Sequence, residues 1–328
     1  MTVGQSDTSA RVALVSQALL TDRPSFVAMN KSRIELVEVG YQSNATEFAE
    51  SLRGFFAIIA GSEEYSRELM SSLPDLRIIA RTGVGYDRID TEAADDLGIF
   101  ITVTPGVNSA GVAEHALTLT LALLHQVVHY DQRVRDGNWR DGLFYAELRG
   151  LTVGIVGYGS IGQALALLLK PFGVQVAVYD PFIDASSVSN EVTLFPNLET
   201  MLPECQILSI HVPLATATRH LIGSRELDLL PKGAYVINTS RGGVLNEAAL
   251  ALALRKGHLA GAALDVFEAE PPVGYFELSE LPTCLFSPHI ASFGHSTISE
   301  MSDMIAGQLM SVHAGNTPGG LVNSPKEN

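Results

Sequence analysis

The sequence is short of cysteine and of basic residues, and both shortages exclude classes of protein. Two cysteines, Cys205 and Cys284, are too few for the disulfide framework of a small secreted domain. Lysine and arginine number 21 against 36 aspartates and glutamates, so the net charge is −15. This charge opposes non-specific binding to nucleic acid or to an anionic membrane. An anionic substrate must therefore meet a local positive group.

Long apolar runs are missing as well. No stretch reaches the ~18 apolar residues of a membrane-spanning helix. The N-terminal residues do not place a basic segment before an apolar one, as a secretory signal does. We therefore expect a soluble cytoplasmic protein. A chain of 328 residues that is 46% hydrophobic can bury a large core, and its length predicts two domains.

Strand and helix patterns alternate along the chain, which is typical of parallel α/β sheets. Strands are predicted at 11–15, 34–39, 57–60, 77–80 and 99–103, and then at 153–156, 174–179, 207–211, 234–238, 261–265 and 284–287. The six later strands match a full dinucleotide-binding domain. Helices are predicted at 45–52, 66–72, 112–128 and 297–314, and the tail from Asn316 is expected to be loose.

The most informative segment runs from an apolar strand through G-x-G-x-x-G into an apolar helix. Gly157 permits a tight turn, Gly159 lets the backbone approach a pyrophosphate, and Gly162 lets the helix pack closely on the strand. The N-terminus of the helix offers free N–H groups to the phosphates. A glycine-rich turn between core elements is the alternative interpretation, but it does not account for Asp180. This acid ends the next strand, where it can bind a ribose diol.

Asp180 also indicates which dinucleotide binds. A carboxylate at this position repels the additional phosphate of NADP, and the following Pro-Phe-Ile supplies no arginine to receive it. The sequence therefore favours NAD.

Three reactive side chains each follow a predicted strand of the second series. Arg241 has a planar fork that can hold a carboxylate through two hydrogen bonds. His289 can exchange a proton with a hydroxyl as hydride leaves the neighbouring carbon, and Glu270 can orient its ring. Taken singly, these could be a surface ion pair, a satisfied loop histidine and a solvated acid. Their common placement beside a nucleotide fingerprint favours a catalytic group.

In these residues and in the motifs around them, the chain resembles the D-isomer-specific 2-hydroxyacid dehydrogenases, most closely their phosphoglycerate-dehydrogenase-like branch. The resemblance covers nearly the whole chain. Its motifs are Arg81-Thr-Gly-Val-Gly85-Tyr-Asp, Thr104-Pro-Gly-Val-Asn108, Val112-Ala-Glu114, the segment 150–162, His211-Val-Pro213, Asn238-Thr-Ser-Arg241-Gly, Ala263-Leu-Asp265-Val-Phe and Pro288-His289.

The resemblance implies an α/β protein of two doubly wound parallel-sheet domains. A Rossmann NAD-binding domain, residues 107–295, would be inserted into a flavodoxin-like substrate domain formed by residues 1–106 and 296–328. The family is usually dimeric, and the 112–128 helix with the arm around Trp139 resembles its dimerising region. From its pattern alone, that helix could equally be core.

The resemblance also implies roles for individual residues. Arg241 would anchor the substrate carboxylate and carbonyl, with His289 as the acid/base and Glu270 as its partner. Backbone N–H groups of Gly83, Val84 and Gly85 would bind the substrate carboxylate, and Asp265 would accept from the nicotinamide carboxamide. The full set of expected cofactor-binding residues is Gly157, Gly159, Ser160, Ile161, Gly162, Asp180, Val212, Pro213, Thr239, Ser240, Arg241, Asp265, His289 and Ala291.

The segment after the third strand departs from the phosphoglycerate-specific pattern. Relatives that bind phosphoglycerate carry a basic residue there, whereas this chain has Glu63 and Glu64. Two acids without a nearby cation disfavour a doubly charged phosphate. We therefore expect a small 2-keto monocarboxylate of glyoxylate, pyruvate or hydroxypyruvate size. A 3-phosphoglycerate dehydrogenase proper remains the alternative.

Two further alternatives have weaker support. Corepressor-like interaction proteins that sense NAD(H) share the catalytic trio, but the long tails of such proteins are missing. Formate dehydrogenases carry an amide where this chain has Glu270. A metal centre is not expected, because His289 and His295 lack a third ligand at a suitable spacing. The helical histidines His115, His125 and His129 are expected to be packing or interface residues.

Overall fold

The computed structural model describes residues 10–16, 19–42, 44–142, 144–184, 188–272 and 276–326. The chain forms two compact units. The first comprises Met1–Asn108 and Phe293–Asn328, and the second comprises Ser109–Ser292. The expectation drawn from the extreme N-terminal residues lies outside the described residues, apart from Ala10.

The first unit contains a five-stranded parallel sheet. Its strands are β1 (Ala10–Leu14), β2 (Ile34–Glu38), β3 (Ala57–Ala60), β4 (Ile78–Arg81) and β5 (Phe100–Thr102), and its helices are α1 (Pro24–Lys31), α2 (Ala45–Ser51), α3 (Arg67–Ser71), α4 (Thr91–Leu97) and α11 (His295–His313). The strand order is β2-β1-β3-β4-β5, as in flavodoxin-like sheets. All five strands lie within one residue of their predicted bounds.

Helices cover both faces of this sheet, which explains the continuous apolar strands in the sequence. Neighbouring residues of β3 serve opposite faces. Ile59 packs in a cluster with Ile305 and Leu309 of α11, while Ile58 packs in the cluster that contains Phe48 of α2. The carboxyl ends of the buried strands are thereby fixed at one edge of the sheet.

The second unit contains a seven-stranded parallel sheet. Its strands are β6 (Thr152–Val156), β7 (Gln175–Tyr179), β8 (Val192–Leu194), β9 (Ile207–Ile210), β10 (Ala234–Asn238), β11 (Leu259–Leu264) and β12 (Cys284–Phe286), and its helices are α5 (Ser109–Leu124), α6 (Val127–Arg135), α7 (Ser160–Leu169), α8 (Leu198–Met201), α9 (Ser224–Leu229) and α10 (Glu247–Arg255). The order β12-β11-β10-β9-β6-β7-β8 is the Rossmann order with one further strand. The predicted α/β class with two parallel sheets is confirmed.

The structure adds a strand that the sequence analysis did not predict. β8 is three residues long, lies at the edge of the sheet next to β7, and is half-buried to exposed. A strand this short shows neither an apolar run nor a full alternation, so it carries almost no sequence signal.

The predicted helix 112–128 is confirmed as far as Leu124, where α5 ends, and its last four residues lie beyond that end. The chain breaks at Gln126, which has a left-handed φ of 53°, and α5 and α6 are bent by 59°. Val127 and Val128 extended the apolar pattern across this break, yet both are more than half exposed. Within the described residues, no single helix is long and apolar enough to cross a membrane, although α5 and α6 taken as a bent pair pass that test by length and composition.

The expectation of a loose tail is also wrong. Leu321 pairs antiparallel with Thr102 of β5. The side chain of Asn323 accepts from the N–H of Ile101 (2.8 Å) and donates to the carbonyl of Ile99 (2.9 Å) and to Asp95 Oδ1 (2.9 Å). Leu321 and Asn323 of this tail are thus the partners of an edge strand that would otherwise be unpaired.

Candidate active site

The loop between β6 and α7 has the geometry of a phosphate cradle. A Cβ on Gly157, whose φ is 92°, would lie 2.7 Å from the carbonyl oxygen of His211, and a Cβ on Gly162 would lie 2.3 Å from the carbonyl oxygen of Gly157. Around Gly159, by contrast, no described atom lies within 4 Å of that position. The first N–H groups of α7, on Ser160 and its successors, have no partner inside the helix. Packing thus requires two of the glycines, whereas Gly159 leaves open space beside free donors.

Asp180 supports this loop directly. Its Oδ2 accepts from the N–H of Tyr158 (2.8 Å), and its Oδ1 accepts from the N–H of Phe182 (3.0 Å). Each carboxylate oxygen has a further lone pair, which can accept from a ribose hydroxyl. The acid at the end of β7 therefore joins the phosphate loop to the expected ribose position.

The adjoining strand ends offer buried polar atoms that the protein itself leaves unsatisfied. Among the described residues, neither Thr239 Oγ1 nor His211 Nδ1 has a hydrogen-bond partner. Burial lowers the pKa of His211 to about 4, so its ring is neutral at physiological pH. Such unpaired groups cost about 1–3 kcal/mol each. A ligand with polar atoms, such as a dinucleotide, suits this surface after β9 and β10, where Val212, Pro213 and Ser240 also lie.

Arg241 stands on a turn that Asn238 holds. The Asn238 side chain donates to the carbonyl of Arg241 (2.9 Å) and accepts from the N–H and the hydroxyl of Ser240 (3.0 and 2.8 Å). The next residue is Gly242, where a Cβ would lie 2.0 Å from the carbonyl oxygen of Phe267. Only glycine lets the arginine turn pack this closely on the segment that leads to Glu270.

Glu270 and His289 are in direct contact. Glu270 Oε2 lies 2.8 Å from His289 Nδ1, and Glu270 Oε1 accepts from the N–H of Phe267 (3.0 Å). Burial alone would raise the pKa of Glu270, but the contact with His289, the N–H of Phe267 and the charge of Arg241 lower it below its usual value. The carboxylate is ionised at neutral pH, so Nδ1 of His289 carries the proton and Nε2 is the atom left for a substrate.

Comparisons with known proteins agree with this geometry. A family model described as "D-isomer specific 2-hydroxyacid dehydrogenase, NAD binding domain" matches residues 117–291. A glyoxylate reductase from Thermococcus litoralis is 40% identical over 273 residues, which are 80% of this chain and 81% of that protein. A D-3-phosphoglycerate dehydrogenase from Archaeoglobus fulgidus is 33% identical over 299 residues, which are 90% of this chain and 56% of that protein.

A solved structure is similar over almost the full length. It is an NADPH-dependent glyoxylate/hydroxypyruvate reductase from Sinorhizobium meliloti in complex with NADP and malonate, with 31% identity and a TM-score of 0.84. The match covers 98% of this chain and 99% of that one. The chain belongs to the D-isomer-specific 2-hydroxyacid dehydrogenase family. The family prediction, the oxidoreductase class and a nicotinamide cofactor are thereby confirmed.

In this 2-hydroxyacid dehydrogenase, Asp265 holds the loop that presents His289. Its buried carboxylate accepts from the hydroxyl of Ser287 (2.6 Å) and from the N–H groups of Ile290 (3.0 Å) and Ala291 (2.9 Å). Burial alone would raise the pKa of Asp265, but the contact with His115 together with these hydrogen bonds holds that pKa below its usual value. The loop needs such support because His289 has a left-handed φ of 55°. A contact between Asp265 and the nicotinamide stays a prediction.

Sequence reasoning missed the link from α5 to this loop. His115 Nε2 lies 2.9 Å from the hydroxyl of Ser287, and 3.6 Å from Asp265 Oδ1. The residues are far apart in the chain, and a histidine on an apolar helix does not indicate its partner. In the part of the chain that the structure describes, no three potential metal ligands come together.

The Gly83–Gly85 loop follows β4 in the first unit. Gly83 has a φ of 133°, and its carbonyl accepts from the N–H of Thr104 (2.9 Å). The carbonyl of Gly85 accepts from Nε of Arg81 (2.7 Å). Because the protein occupies these two carbonyls, the N–H groups are what the loop has to offer a ligand. Val84, between them, is partly exposed.

One premise of the substrate argument is wrong. A cation does lie near the acids after β3, since Arg81 pairs in register with Ala60 and its Nη1 lies 3.5 Å from the Ala60 carbonyl. Glu63 itself turns back and accepts from the N–H of Gly61 (2.7 Å), while Glu64 is exposed. Arg81 belongs to the Arg81-Thr-Gly-Val-Gly85-Tyr-Asp motif, and its charge was not part of the prediction.

Proposed function

We propose that this 2-hydroxyacid dehydrogenase interconverts a small D-2-hydroxy acid and its 2-keto acid, with His289 as the acid/base. The observation that carries the proposal is the 2.8 Å contact between His289 Nδ1 and the half-buried carboxylate of Glu270. Bound nicotinamide supplies or accepts the hydride at the substrate's second carbon. In reduction, His289 Nε2 donates a proton to the carbonyl oxygen, and Glu270 stabilises the charged ring.

Arg241 and the Gly83–Gly85 loop serve the substrate carboxylate in this proposal. Arg241 has the fork geometry for a carboxylate and a carbonyl oxygen, and its charge also acts on Glu270. The loop would add backbone N–H groups. We propose on this basis that the first unit is the substrate domain and that the second unit binds the cofactor.

Glyoxylate is the first substrate to test, because the relative from Thermococcus litoralis is a glyoxylate reductase. A 3-phosphoglycerate dehydrogenase is the second candidate, supported by the relative from Archaeoglobus fulgidus and by Arg81 near the end of β3. The purified protein should oxidise NADH in the presence of glyoxylate, pyruvate or hydroxypyruvate. Absence of turnover with every 2-keto acid in such a panel would contradict the proposal.

The cofactor is proposed to be NAD rather than NADP, because a carboxylate at Asp180 would repel the additional phosphate of NADP. Asp180→Ala should narrow the preference for NADH over NADPH, measured as the ratio of kcat/KM values. Asn197→Ala, which removes the cap of α8, is the control for a general loss of stability. Equal turnover of the wild type with NADPH would refute this assignment.

The protein is proposed to be a homodimer. Large apolar side chains are exposed on α6 and after it, namely Val127, Val128, Val134, Trp139, Phe144 and Tyr145. A patch of this kind on a folded protein typically marks an interface. Sedimentation of the purified protein should give twice the chain mass, and a monomer at micromolar concentration would contradict this.

A further inference from the structure

The segment that carries Glu270 is fastened to the start of α10 by two reciprocal hydrogen bonds. The N–H of Glu268 donates to Glu247 Oε1 (2.6 Å), and the N–H of Glu247 donates to Glu268 Oε1 (3.0 Å). Hydrogen bonds from a backbone N–H to a carboxylate are among the stronger ones in proteins. The backbone two residues before Glu270 is therefore tied to the first residue of α10.

This connection fixes the position of the Glu270 segment relative to Arg241. Arg241 lies in the turn that leads into α10, and Gly242 packs against the backbone of Phe267 and Glu268. The Glu247–Glu268 pair closes the other side of the same contact. Any slip of the Glu270 segment along the arginine turn would have to break both hydrogen bonds.

Helix capping accounts for only one of the two hydrogen bonds, because the N–H of Glu247 is one of the four that the start of a helix leaves without an intrahelical partner. Asn246 is the N-cap of α10, and its side chain accepts from the N–H of Ala249 (2.8 Å). Glu247 is also placed at a cost, because burial and the nearby carboxylates of Glu268 and Glu270 raise its pKa, against the effect of the Glu268 N–H. The hydrogen bond from the N–H of Glu268 to Glu247 caps no helix, and it holds a carboxylate in an unfavourable place, which indicates a function in the neighbouring site.

The charged groups around the pair come from several segments. His220 Nε2 lies 3.3 Å from Glu268 Oε1. On the inner side, Glu270 faces His289 and experiences the charge of Arg241. The pair thus lies next to the acid–base group, without contacting His289 itself.

We propose that Glu247 is a positioning residue, which holds Glu270 and His289 in register with Arg241 by accepting the N–H of Glu268. The inference rests on the proposed acid–base role of His289. Without Glu247, the Glu270 segment loses its fixed position, and the charged form of His289 loses part of its support. Reduction requires that charged form, so the pH profile should report the change.

Three variants at this position separate the hydrogen bond from the charge. Glu247→Ala removes the acceptor, Glu247→Gln keeps an acceptor without charge, and Glu247→Asp keeps the charge on a shorter side chain. For 2-keto acid reduction, Glu247→Ala and Glu247→Asp should lower kcat by roughly tenfold or more. The alkaline fall of kcat/KM should move down by about one pH unit. Glu247→Gln should stay close to the wild type.

Measurements other than turnover distinguish positioning from a loss of folding. The dissociation constant for NADH, measured by fluorescence, should be unchanged in all three variants. Glu277→Ala is the matched control, since it removes the ion pair with Arg255 at the other end of α10 and should leave the pH profile unchanged.

Two results would overturn the inference. One is a wild-type kcat and pH profile in Glu247→Ala. The other is an equal loss in Glu247→Gln and Glu247→Ala, which would assign the effect to charge rather than to the hydrogen bond. Failure of the proposed function gives a different result, because His289→Ala would then keep its turnover. Should Glu247→Ala not fold, the contrast between Glu247→Gln and Glu247→Asp decides the question.

Discussion

The seven-stranded and the five-stranded sheets present different chemistry at their carboxyl edges. The strand ends of the second unit carry reactive side chains, with Asp180 after β7, Arg241 after β10 and His289 after β12. The corresponding edge of the first unit presents a glycine loop, Gly83–Gly85, whose carbonyls are bound by the protein. The edge of the second unit presents side chains, and the edge of the first unit presents backbone N–H groups.

This difference determines how far a sequence can be interpreted. The type of a side chain such as His289 indicates the chemistry that it can perform. A backbone N–H group belongs to almost every residue type and therefore gives no such indication. The reaction type was therefore predicted from the second unit, and the choice of substrate was left to the first. The comparison also predicts that substitutions in the two units will affect different properties, which the following experiments test.

The largest effect is expected at the acid–base group of the second unit. His289→Ala should lose roughly 100-fold or more in turnover, the usual contribution of a general acid/base, while NADH still binds. His258→Gln is the matched control, because His258 precedes β11 at the opposite edge of the sheet and the one hydrogen bond that the structure shows for its ring is to the carbonyl of Leu227. Turnover that survives in His289→Ala would place the proton donor elsewhere.

The second unit also shows where prediction from the sequence stops. Gly157, Asp180, Arg241 and Glu270 follow strands of five or six residues, whose apolar runs are long enough to recognise, so both position and chemistry were predicted. The pairing of Glu270 with His289 was expected from their chemistry and was also implied by the resemblance.

Other features carry no local signal. The His115–Ser287 contact joins residues distant in the chain, and β8 is too short to show a pattern. In the first unit, the polar tail and the charge of Arg81 were misjudged because their partners are set by tertiary structure. Asn323, for example, bonds to the edge of β5 rather than to solvent.

The phosphate loop permits a sharper test within the second unit. Gly162→Ala would place a Cβ 2.3 Å from the Gly157 carbonyl oxygen, and such overpacking should cost about 1–3 kcal/mol of unfolding free energy. Gly159→Ala meets no described atom within 4 Å, so its Tm should equal that of the wild type. The new methyl group should instead weaken NADH binding by roughly tenfold. A Gly159→Ala variant that is unstable, or that binds NADH normally, would contradict the assignment of this loop as the site that binds the cofactor phosphates.

In the first unit, the tail should affect stability and not chemistry. Asn323→Ala removes hydrogen bonds to Ile101, Ile99 and Asp95 and leaves buried backbone groups unpaired, which should cost about 1–3 kcal/mol in denaturant unfolding. The kcat should not change. Asn316→Ala, earlier in the same tail, controls for the loss of a side-chain amide. A loss of kcat without a loss of stability would mean that the tail contributes to the site.

The smallest effect concerns the choice between a plain and a phosphorylated 2-keto acid. We still expect kcat/KM to favour hydroxypyruvate over 3-phosphohydroxypyruvate. The reason now rests on how Arg81 is used: its guanidinium binds the Gly85 carbonyl and lies against that of Ala60, so it serves the loop rather than an incoming phosphate. A tenfold preference corresponds to only ~1.4 kcal/mol, which a single charge can reverse.

Glu63→Gln sharpens the test, because its amide oxygen can still accept from Gly61 while the negative charge is gone. This variant should narrow the preference and leave glyoxylate turnover unchanged. If the wild type prefers the phosphorylated acid and Arg81→Lys abolishes that preference, the first unit supplies a side chain to the substrate after all, and the contrast between the two sheets fails.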